Sequence, residues 1–364
     1  MQLDQITFTR FIAALTVVFF HYGQSVFPAN IPFLFENITA GPIAVGYFYV
    51  LSGFIMAIAY YQPDQKNQKA ITKKKYWLAR FARIYPVYLI ALLVIVAAKY
   101  KGLAENWAEL PLHLFLLQSW IPGYPITLNT PGWSLSVEAF FYLCFPFLLL
   151  WVYKAGTKPL IMFTLILWFA TQTLLLSLLN SAEYAPKAHL HDFIYYNPLM
   201  HLNSFTAGMI CGIYLKRGTN GNYANNNSPY KNNTIWVILS FGLVFLLIWA
   251  RPHLETLLGI KLAFTNGLLA PVFLLFIVLL AKNKGIIAKV FSYSWLVLLG
   301  EASYSLYILQ KPVYGIYDRI VVPRIALSEA LHFYIFLFLL IVISILSYKL
   351  LETPMRRAIR KKLS

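Results

Sequence analysis

ITFTRFIAALTVVFFHYGQSVF (residues 6–27) is long and apolar enough to cross a bilayer, yet it carries Arg10 and His21. Eleven residues turn an α-helix by three full rotations plus about 20°, so the two side chains share one face, about 16 Å apart along the axis. Arginine and histidine at membrane depth are costly unless they face protein or a polar cavity. The stretch therefore predicts a transmembrane helix with a functional polar face.

The composition extends this interpretation to the whole chain. Of its 364 residues, 59% are hydrophobic and 12% are charged, whereas about 25% of the residues of a soluble domain are charged. The sequence thus predicts an all-α polytopic membrane protein. Ten spans of about 20 residues are expected, at 6–27, 41–61, 83–100, 133–153, 159–180, 198–215, 234–250, 262–281, 295–317 and 329–351.

The basic residues predict the orientation of these spans. With the N-terminus in the cytoplasm, the cytoplasmic loops and tail hold 20 Lys and Arg, and the opposite side holds 7. This positive-inside pattern predicts that both termini are cytoplasmic. The net charge of +17 then reflects topology and contact with membrane lipids, so no nucleic-acid partner is expected.

The chain is expected to form a single integral-membrane domain over residues 1–364. Its polar segment GTNGNYANNNSPYKNN (218–233) predicts a mobile cytoplasmic loop, and residues 352–364 predict a basic cytoplasmic tail. LPLHLFLLQSW (110–120) is apolar but only half as long as a span. It is expected to be re-entrant or half-inserted, since a crossing there would reverse the positive-inside pattern.

The segment KKKYWLARFARIYPVY contains Arg80 and Arg83, which are neighbours on a helix face. One interpretation is an interfacial helix that binds anionic lipid. The other is a pair of guanidiniums that clamps the phosphates of a cytosolic ligand. Arg10 enters its span from the same side, and three arginines at one leaflet favour the phosphorylated ligand.

The segment NTPGWSLSVEAFFY (129–142) places Glu138 near the start of the fourth span, after Trp133 and Ser134. The carboxylate is suited to cap the helix, where the dipole favours negative charge. As a functional group it can orient His21, accept a proton or bind a sugar hydroxyl. Both residues are expected toward the outer face, where they can meet.

Two further segments put small polar residues inside spans. Ser52 and Gly53 form a notch in GYFYVLSGFIM (46–56), suited to close helix packing or to the passage of a thin acyl-pantetheine arm. GEASYSLYILQKPV (300–313) opens the ninth span with Glu301 and Tyr304. No metal site is expected, because KAHLHDF is an isolated loop cluster without a third ligand-bearing element.

Taken in order, these segments resemble the membrane-bound acyltransferase-3 family. The matching elements are the Arg10–His21 pair, YFYVLSGF, RFARIYP, WSLSVE, EASYSLYIL and the terminal YKLLETPMRR, which together span essentially the whole chain. The resemblance implies a bacterial-type inner-membrane enzyme that takes an acyl group, usually acetyl, from cytosolic acyl-CoA. The resemblance also implies that the acceptor is a hydroxyl of a cell-surface glycan such as O-antigen, capsule or exopolysaccharide.

Carried onto this chain, the resemblance implies that Arg10 and His21 belong to the catalytic core. It assigns Arg80 and Arg83 to the cytoplasmic face and makes Glu138 part of an essential motif. One position departs from the family pattern: SYSLYIL is usually followed by His, and here Gln310 follows. An amide hydrogen-bonds but does not titrate, so no proton-transfer role is expected there.

The sequence-based hypothesis assigns a role to each of these residues. The phosphates of acyl-CoA are bound by Arg80, Arg83 and Arg10, and the thioester arm runs past Ser52 and Gly53. His21 acts as general base or transient nucleophile, helped by Glu138. Candidate residues for binding the glycan or lipid-linked saccharide acceptor are Trp133, Ser134 and Tyr304. The alternative is a proton-coupled transporter or exporter that uses His21 and Glu138, since intramembrane ionisable groups fit both.

Overall fold

The computed structural model describes residues 3–63, 72–99, 108–218 and 233–363. Within these ranges the chain is helical, with no β-strand. The loop predicted at 218–233 lies outside the described residues, apart from its two end positions. The helices, in chain order, are α1 (Asp4–Tyr22), α2 (Pro32–Ile38), α3 (Gly41–Tyr60), α4 (Lys73–Lys99), α5 (Glu109–Leu114), α6 (Trp133–Ala155), α7 (Lys158–Leu179), α8 (His189–Tyr196), α9 (Leu202–Gly218), α10 (Thr234–Leu258), α11 (Ala270–Lys282), α12 (Ile286–Phe291), α13 (Ser294–Ile320), α14 (Glu329–Ser347) and α15 (Thr353–Leu363).

Six helices in the described ranges are long and apolar enough to cross a membrane: α3, α4, α6, α7, α10, and α14 with its continuation to Ala358. The chain is therefore a multi-pass membrane protein. The other four predicted spans overlap α1, α9, α11 and α13. The count of ten spans and the cytoplasmic placement of the termini stay predictions.

The span expected at 262–281 is not one continuous helix. A π-helical turn, Phe264–Leu268, comes before α11, which has 13 residues and is too short to cross a bilayer alone. Asn266 and Gly267 interrupt the helix, and Gly267 has a φ of +94°. Two side chains of α7 donate hydrogen bonds to the freed carbonyls. The Gln172 amide donates to Asn266 O at 2.9 Å, and the Trp168 indole donates to Gly267 O at 2.8 Å. The polar break was invisible to a hydropathy pattern because one Asn-Gly pair barely changes the mean of an apolar window.

The segment expected to be half-inserted, 110–120, contains α5 and a short 3₁₀ turn, Gln118–Trp120. The Gln118 amide donates to Gly132 O at 2.9 Å, and the Ser119 hydroxyl donates to Trp133 O at 2.8 Å. These bonds attach the segment to the start of α6. At the other end of the chain, the expected basic tail forms α15, which packs against α4.

Helices α3 and α9 touch through glycines. A methyl group on Gly53 would lie 1.9 Å from Phe205 O, and one on Gly208 would lie 2.0 Å from Val50 O. Neither position has room for a side chain, so the two backbones are in direct contact. Such close approach is how small residues drive helix association in lipid, where burial of apolar surface gives no advantage.

Helices α1 and α13 run parallel to each other. Near their first turns, a methyl on Gly300 would lie 2.1 Å from Thr7 O. Near their last turns, the rings of Tyr22 and Tyr314 stack with centroids 4.2 Å apart. The 15-residue step from Thr7 to Tyr22 on α1 therefore runs alongside the 14-residue step from Gly300 to Tyr314 on α13. This pairing gives the depth of each α13 residue relative to Arg10 and His21.

The α3–α9 contact predicts the effect of adding a single methyl group. We expect Gly208→Ala to lower the free energy of unfolding by about 1–3 kcal/mol, because backbone cannot move aside as a side chain can. Gly242→Ala on α10 is the control, since its methyl would meet no atom within 4 Å. Thermal unfolding of the detergent-solubilised proteins measures both, and equal midpoints would contradict the close packing.

Candidate active site

A cavity of about 230 Å³ lies between α1, α3, α4, α6 and α13. Each of these helices contributes at least one side chain that the sequence singled out. The predicted site residues that the wall contains are Arg10, Ser52, Arg83, Ser134, Glu138 and Tyr304. They come from five separate parts of the chain, and the fold brings them together.

Arg10 and Arg83 are the two cations of the cavity wall. Neither guanidinium makes a hydrogen bond or a close ion pair with any described residue. Arg10 lies within electrostatic range of Arg83, Glu301 and Glu138. Two unpaired guanidinium forks beside one cavity can bind an anionic group with several oxygens, such as a phosphate.

Glu138 is held in place by neighbours on two helices. The Ser52 hydroxyl donates to its Oε1 at 2.9 Å, and the Tyr142 hydroxyl donates to the same oxygen. Tyr142 lies four residues after Glu138, one helical turn further along α6. Both bonds fall on one carboxylate oxygen, which leaves Oε2 free to act in the cavity. Sequence reasoning missed Tyr142, although its i+4 spacing from Glu138 was a usable signal.

Two residues of α13 complete the wall. Glu301 accepts a hydrogen bond from the Tyr348 hydroxyl at 2.6 Å. The Tyr304 hydroxyl donates to the carbonyl of Ile84, the residue after Arg83. Tyr304 thus ties α13 to α4 beside the arginine, and its ring faces the cavity. The sequence pattern places Glu301 in the polar cluster that opens the ninth span but indicates no function for it.

His21 does not belong to this cavity wall. It lies in the last turn of α1, is exposed, and its ring contacts those of Phe20 and Tyr22. Tyr307 lines the cavity nearest this end of α13, and in the parallel pairing of α1 and α13 it is level with residues 14–15. His21 is therefore roughly 10 Å beyond the cavity along the helix axis.

The expected contact between His21 and Glu138 is not formed. Glu138 is the sixth residue of α6, so it lies well inside the bundle, where Ser52 and Tyr142 bind it. The sequence argument placed both residues toward one face but could not resolve a difference of two helical turns.

Arg80 and Arg83 do not act as a pair. The Arg80 guanidinium donates to the Tyr60 hydroxyl at 3.0 Å and lies over the rings of Tyr60, Tyr76 and Tyr142. Residues three apart differ by about 60° around a helix, which is enough to turn Arg83 to the cavity and Arg80 to the aromatic cluster. The arginine that shares the cavity wall with Arg83 is therefore Arg10, not Arg80.

Gly53 and Trp133 also lie outside the cavity wall. Gly53 faces α9, because consecutive residues of a helix point about 100° apart and Ser52 takes the cavity side. The Trp133 ring packs against Tyr196 and His201, with centroids 4.9 and 5.8 Å away. Close helix packing is therefore the role that the structure gives to Gly53.

Gln310, which replaces the usual histidine, is fully buried and its amide donates to Tyr307 O on its own helix at 2.7 Å. It does not belong to the cavity wall. The described ranges hold no group of three or more His, Cys, Asp or Glu suited to a metal ion.

An acyltransferase domain model matches residues 3–349 of the chain, nearly its whole length. The chain belongs to the acyltransferase-3 family. The cavity bounded by Arg10 and Arg83 is the candidate active site of this family member.

Curated relatives carry names that agree with the family. Acyltransferase MdmB of Streptomyces mycarofaciens is 31% identical over 242 residues, which cover 60% of this chain and 59% of MdmB. A Staphylococcus aureus (strain COL) protein named "Putative O-acetyltransferase" is 24% identical over 376 residues, covering 96% of this chain and 56% of that protein. The chain thus spans less than two thirds of the length of these relatives. No solved structure matches it.

The Ser52–Glu138 bond predicts a loss of activity on removal of one hydroxyl. Ser52→Ala leaves one donor to the carboxylate instead of two, and hydrogen bonds to charged groups contribute about 1.5–3 kcal/mol. We expect the acyl-transfer kcat/KM to fall roughly tenfold or more. Ser240→Ala on α10 is the control, because that hydroxyl bonds only to its own helix. Unchanged kinetics for Ser52→Ala would refute a role for this contact.

Proposed function

We propose that the chain is an integral-membrane O-acyltransferase that moves an acyl group, acetyl in the simplest case, from acyl-CoA to a hydroxyl of a surface glycan. The observation that carries the proposal is the cavity among the membrane helices where Arg10 and Arg83 lie unpaired beside Glu138. Membership of the acyltransferase-3 family supports an enzyme rather than a proton-coupled exporter built on the same ionisable residues.

The donor site follows from charge and size. The two guanidiniums suit the phosphate groups of acyl-CoA, which would enter from the cytoplasmic side where α1 begins. A cavity of about 230 Å³ is smaller than the roughly 300–1,000 Å³ of pockets for drug-sized molecules. It therefore suits a narrow part of the donor: the diphosphate lies at the two arginines, the adenosine remains outside the bundle, and the pantetheine arm with its thioester continues toward His21.

His21 is proposed as the general base on the acceptor side. Its neutral imidazole takes the proton of the acceptor hydroxyl, and the hydroxyl oxygen attacks the thioester carbonyl carbon. The carbon–sulfur bond then breaks, and the CoA thiolate leaves and takes the proton from the His21 imidazolium, which restores the neutral imidazole. The roughly 10 Å between the cavity and His21 requires the thioester arm to extend along α1 toward the end that carries His21.

Glu138 has a different role in this scheme from the one that its sequence position indicated. Fixed by Ser52 and Tyr142 within electrostatic range of Arg10, it balances charge at the donor site and orients Arg10. It does not act on His21.

The acceptor is proposed to be a sugar hydroxyl of a glycan or lipid-linked saccharide at the outer face of a bacterial-type inner membrane. The name of the Staphylococcus aureus relative supports transfer of acetyl to oxygen. The six long apolar helices support a multi-pass location in contact with membrane lipids.

The direct test uses purified protein in lipid nanodiscs with acetyl-CoA labelled in the acetyl group. We expect CoA release that depends on the protein and labelled product when membrane glycan from the source cells is added. Proton or glycan movement across proteoliposomes without any acetyl-CoA turnover would instead establish the transporter.

Arg83 is predicted to set donor affinity. Arg83→Gln removes a charge that faces the cavity, and hydrogen bonds to charged groups contribute about 1.5–3 kcal/mol, so we expect the KM for acetyl-CoA to rise by roughly tenfold or more. Arg319→Gln, at an exposed position near the end of α13, is the matched control. A KM for Arg83→Gln equal to that of the control would exclude Arg83 from the donor site.

His21 is predicted to act after donor binding. Because it lies outside the cavity, His21→Ala should retain acetyl-CoA affinity within about twofold, while transfer falls by 10²–10⁴-fold, the usual contribution of general-base catalysis. Equilibrium binding of labelled acetyl-CoA and product formation are measured on the same preparation. His253→Ala, at an exposed position on α10, is the control. Retained transfer in His21→Ala would reject the assignment.

A further inference from the structure

The C-terminal end of α14 contains a π-helical turn, Tyr348–Glu352, which leads into α15. In this turn Tyr348 and Glu352 are directed inward, whereas Lys349 and Leu350 between them are exposed. Single π turns inside α-helices are uncommon and occur frequently at functional sites. The turn follows the last apolar helix, and none of its residues lines the cavity.

Both inward side chains of the turn bind α13 beside the cavity. The Tyr348 hydroxyl donates to Glu301 Oε2 at 2.6 Å, and Glu301 lines the cavity. The Ser305 hydroxyl donates to Glu352 Oε1 at 2.5 Å and lies 2.8 Å from the Ser347 hydroxyl. Glu352 is only 8% exposed, so this is a buried carboxylate with a defined position.

The π turn packs against α4, the helix that carries Arg83, and Glu352 lies within electrostatic range of Arg83, Arg10 and Arg356. Glu352 forms no close ion pair with any of the three, so its charge acts on them without occupying their hydrogen-bonding forks. Two neighbouring guanidiniums repel each other, strongly so in a medium of low dielectric constant. A carboxylate held within electrostatic range of both guanidiniums lowers that repulsion, so that both side chains can remain directed at the cavity.

We propose that Glu352, held by Ser305 in the C-terminal π turn, is a positioning residue that keeps Arg83 oriented toward the anionic part of the acyl donor. The inference rests on the proposed function, because it takes the Arg10–Arg83 cavity as the donor site. It assigns the last turn before α15 to donor binding, although Glu352 touches neither the donor nor the reacting atoms.

The test is the kinetics of Glu352→Gln in the full-length protein in nanodiscs. Glutamine preserves the size and the bond to Ser305 but removes the charge. We expect the KM for acetyl-CoA to rise about fivefold to tenfold, while kcat stays within about twofold of wild type. The control is Glu329→Gln at the opposite end of α14, where the carboxylate also accepts a serine hydrogen bond, from Ser25.

A double-mutant cycle separates positioning from general damage to the fold. If Glu352 acts through Arg83, then Glu352→Gln adds no further rise in KM to Arg83→Gln. If Glu352→Gln does not yield folded protein, Ser305→Ala carries the test, since it frees the carboxylate while retaining its charge; a KM increase of about threefold is expected.

Three outcomes overturn the inference: a KM for Glu352→Gln or Ser305→Ala equal to wild type, a loss confined to kcat, or multiplicative effects of Glu352→Gln and Arg83→Gln. Failure of the proposed function looks different, because wild-type protein would then neither bind nor turn over acetyl-CoA.

Discussion

The structure depends on the need to keep two guanidiniums, Arg10 and Arg83, inside a helical membrane bundle. Charge at that depth is tolerated only where protein or a polar cavity surrounds it. The bundle meets this requirement with Glu138 and Glu301 in the same wall and with Glu352 within electrostatic range of both arginines. None of the three forms a close ion pair with the arginines, so the two guanidiniums keep their hydrogen-bond donors available for an anionic ligand.

The packing around the cavity follows from this arrangement. Gly300 allows α13 to touch α1, and both of these helices line the cavity; Gly53 and Gly208 allow α3 to touch α9 on another face of α3. Hydroxyl groups then fix the carboxylates: Ser52 and Tyr142 bind Glu138, Tyr348 binds Glu301, and Ser305 binds Glu352. Each carboxylate is thus held by at least one residue from a different helix.

The two basic residues of α1 lie at different depths. Arg10 lies at the cavity, whereas His21 lies roughly 10 Å beyond it on an exposed part of the same helix. In the proposed function this separates donor binding from activation of the acceptor hydroxyl, so that variants at the two ends of α1 alter different kinetic constants. A long, thin thioester arm is the kind of donor that such a separation suits.

By itself, the sequence determined the helical membrane class, the family resemblance and most of the cavity residues, because apolar length, charge placement and short motifs are local properties. Arg10, Ser52, Arg83, Ser134, Glu138 and Tyr304 were all selected from motifs, and all line the cavity. Only the tertiary structure decided which of them meet. Arg80 turned to an aromatic cluster, Gly53 to α9 and Trp133 to His201, because 60–100° of helix rotation moves a residue to another face. Glu138 contacts Ser52 rather than His21, and the π turn brings Glu352 to Ser305 of α13, since contacts between distant segments depend on helix depth and register, which no local pattern encodes.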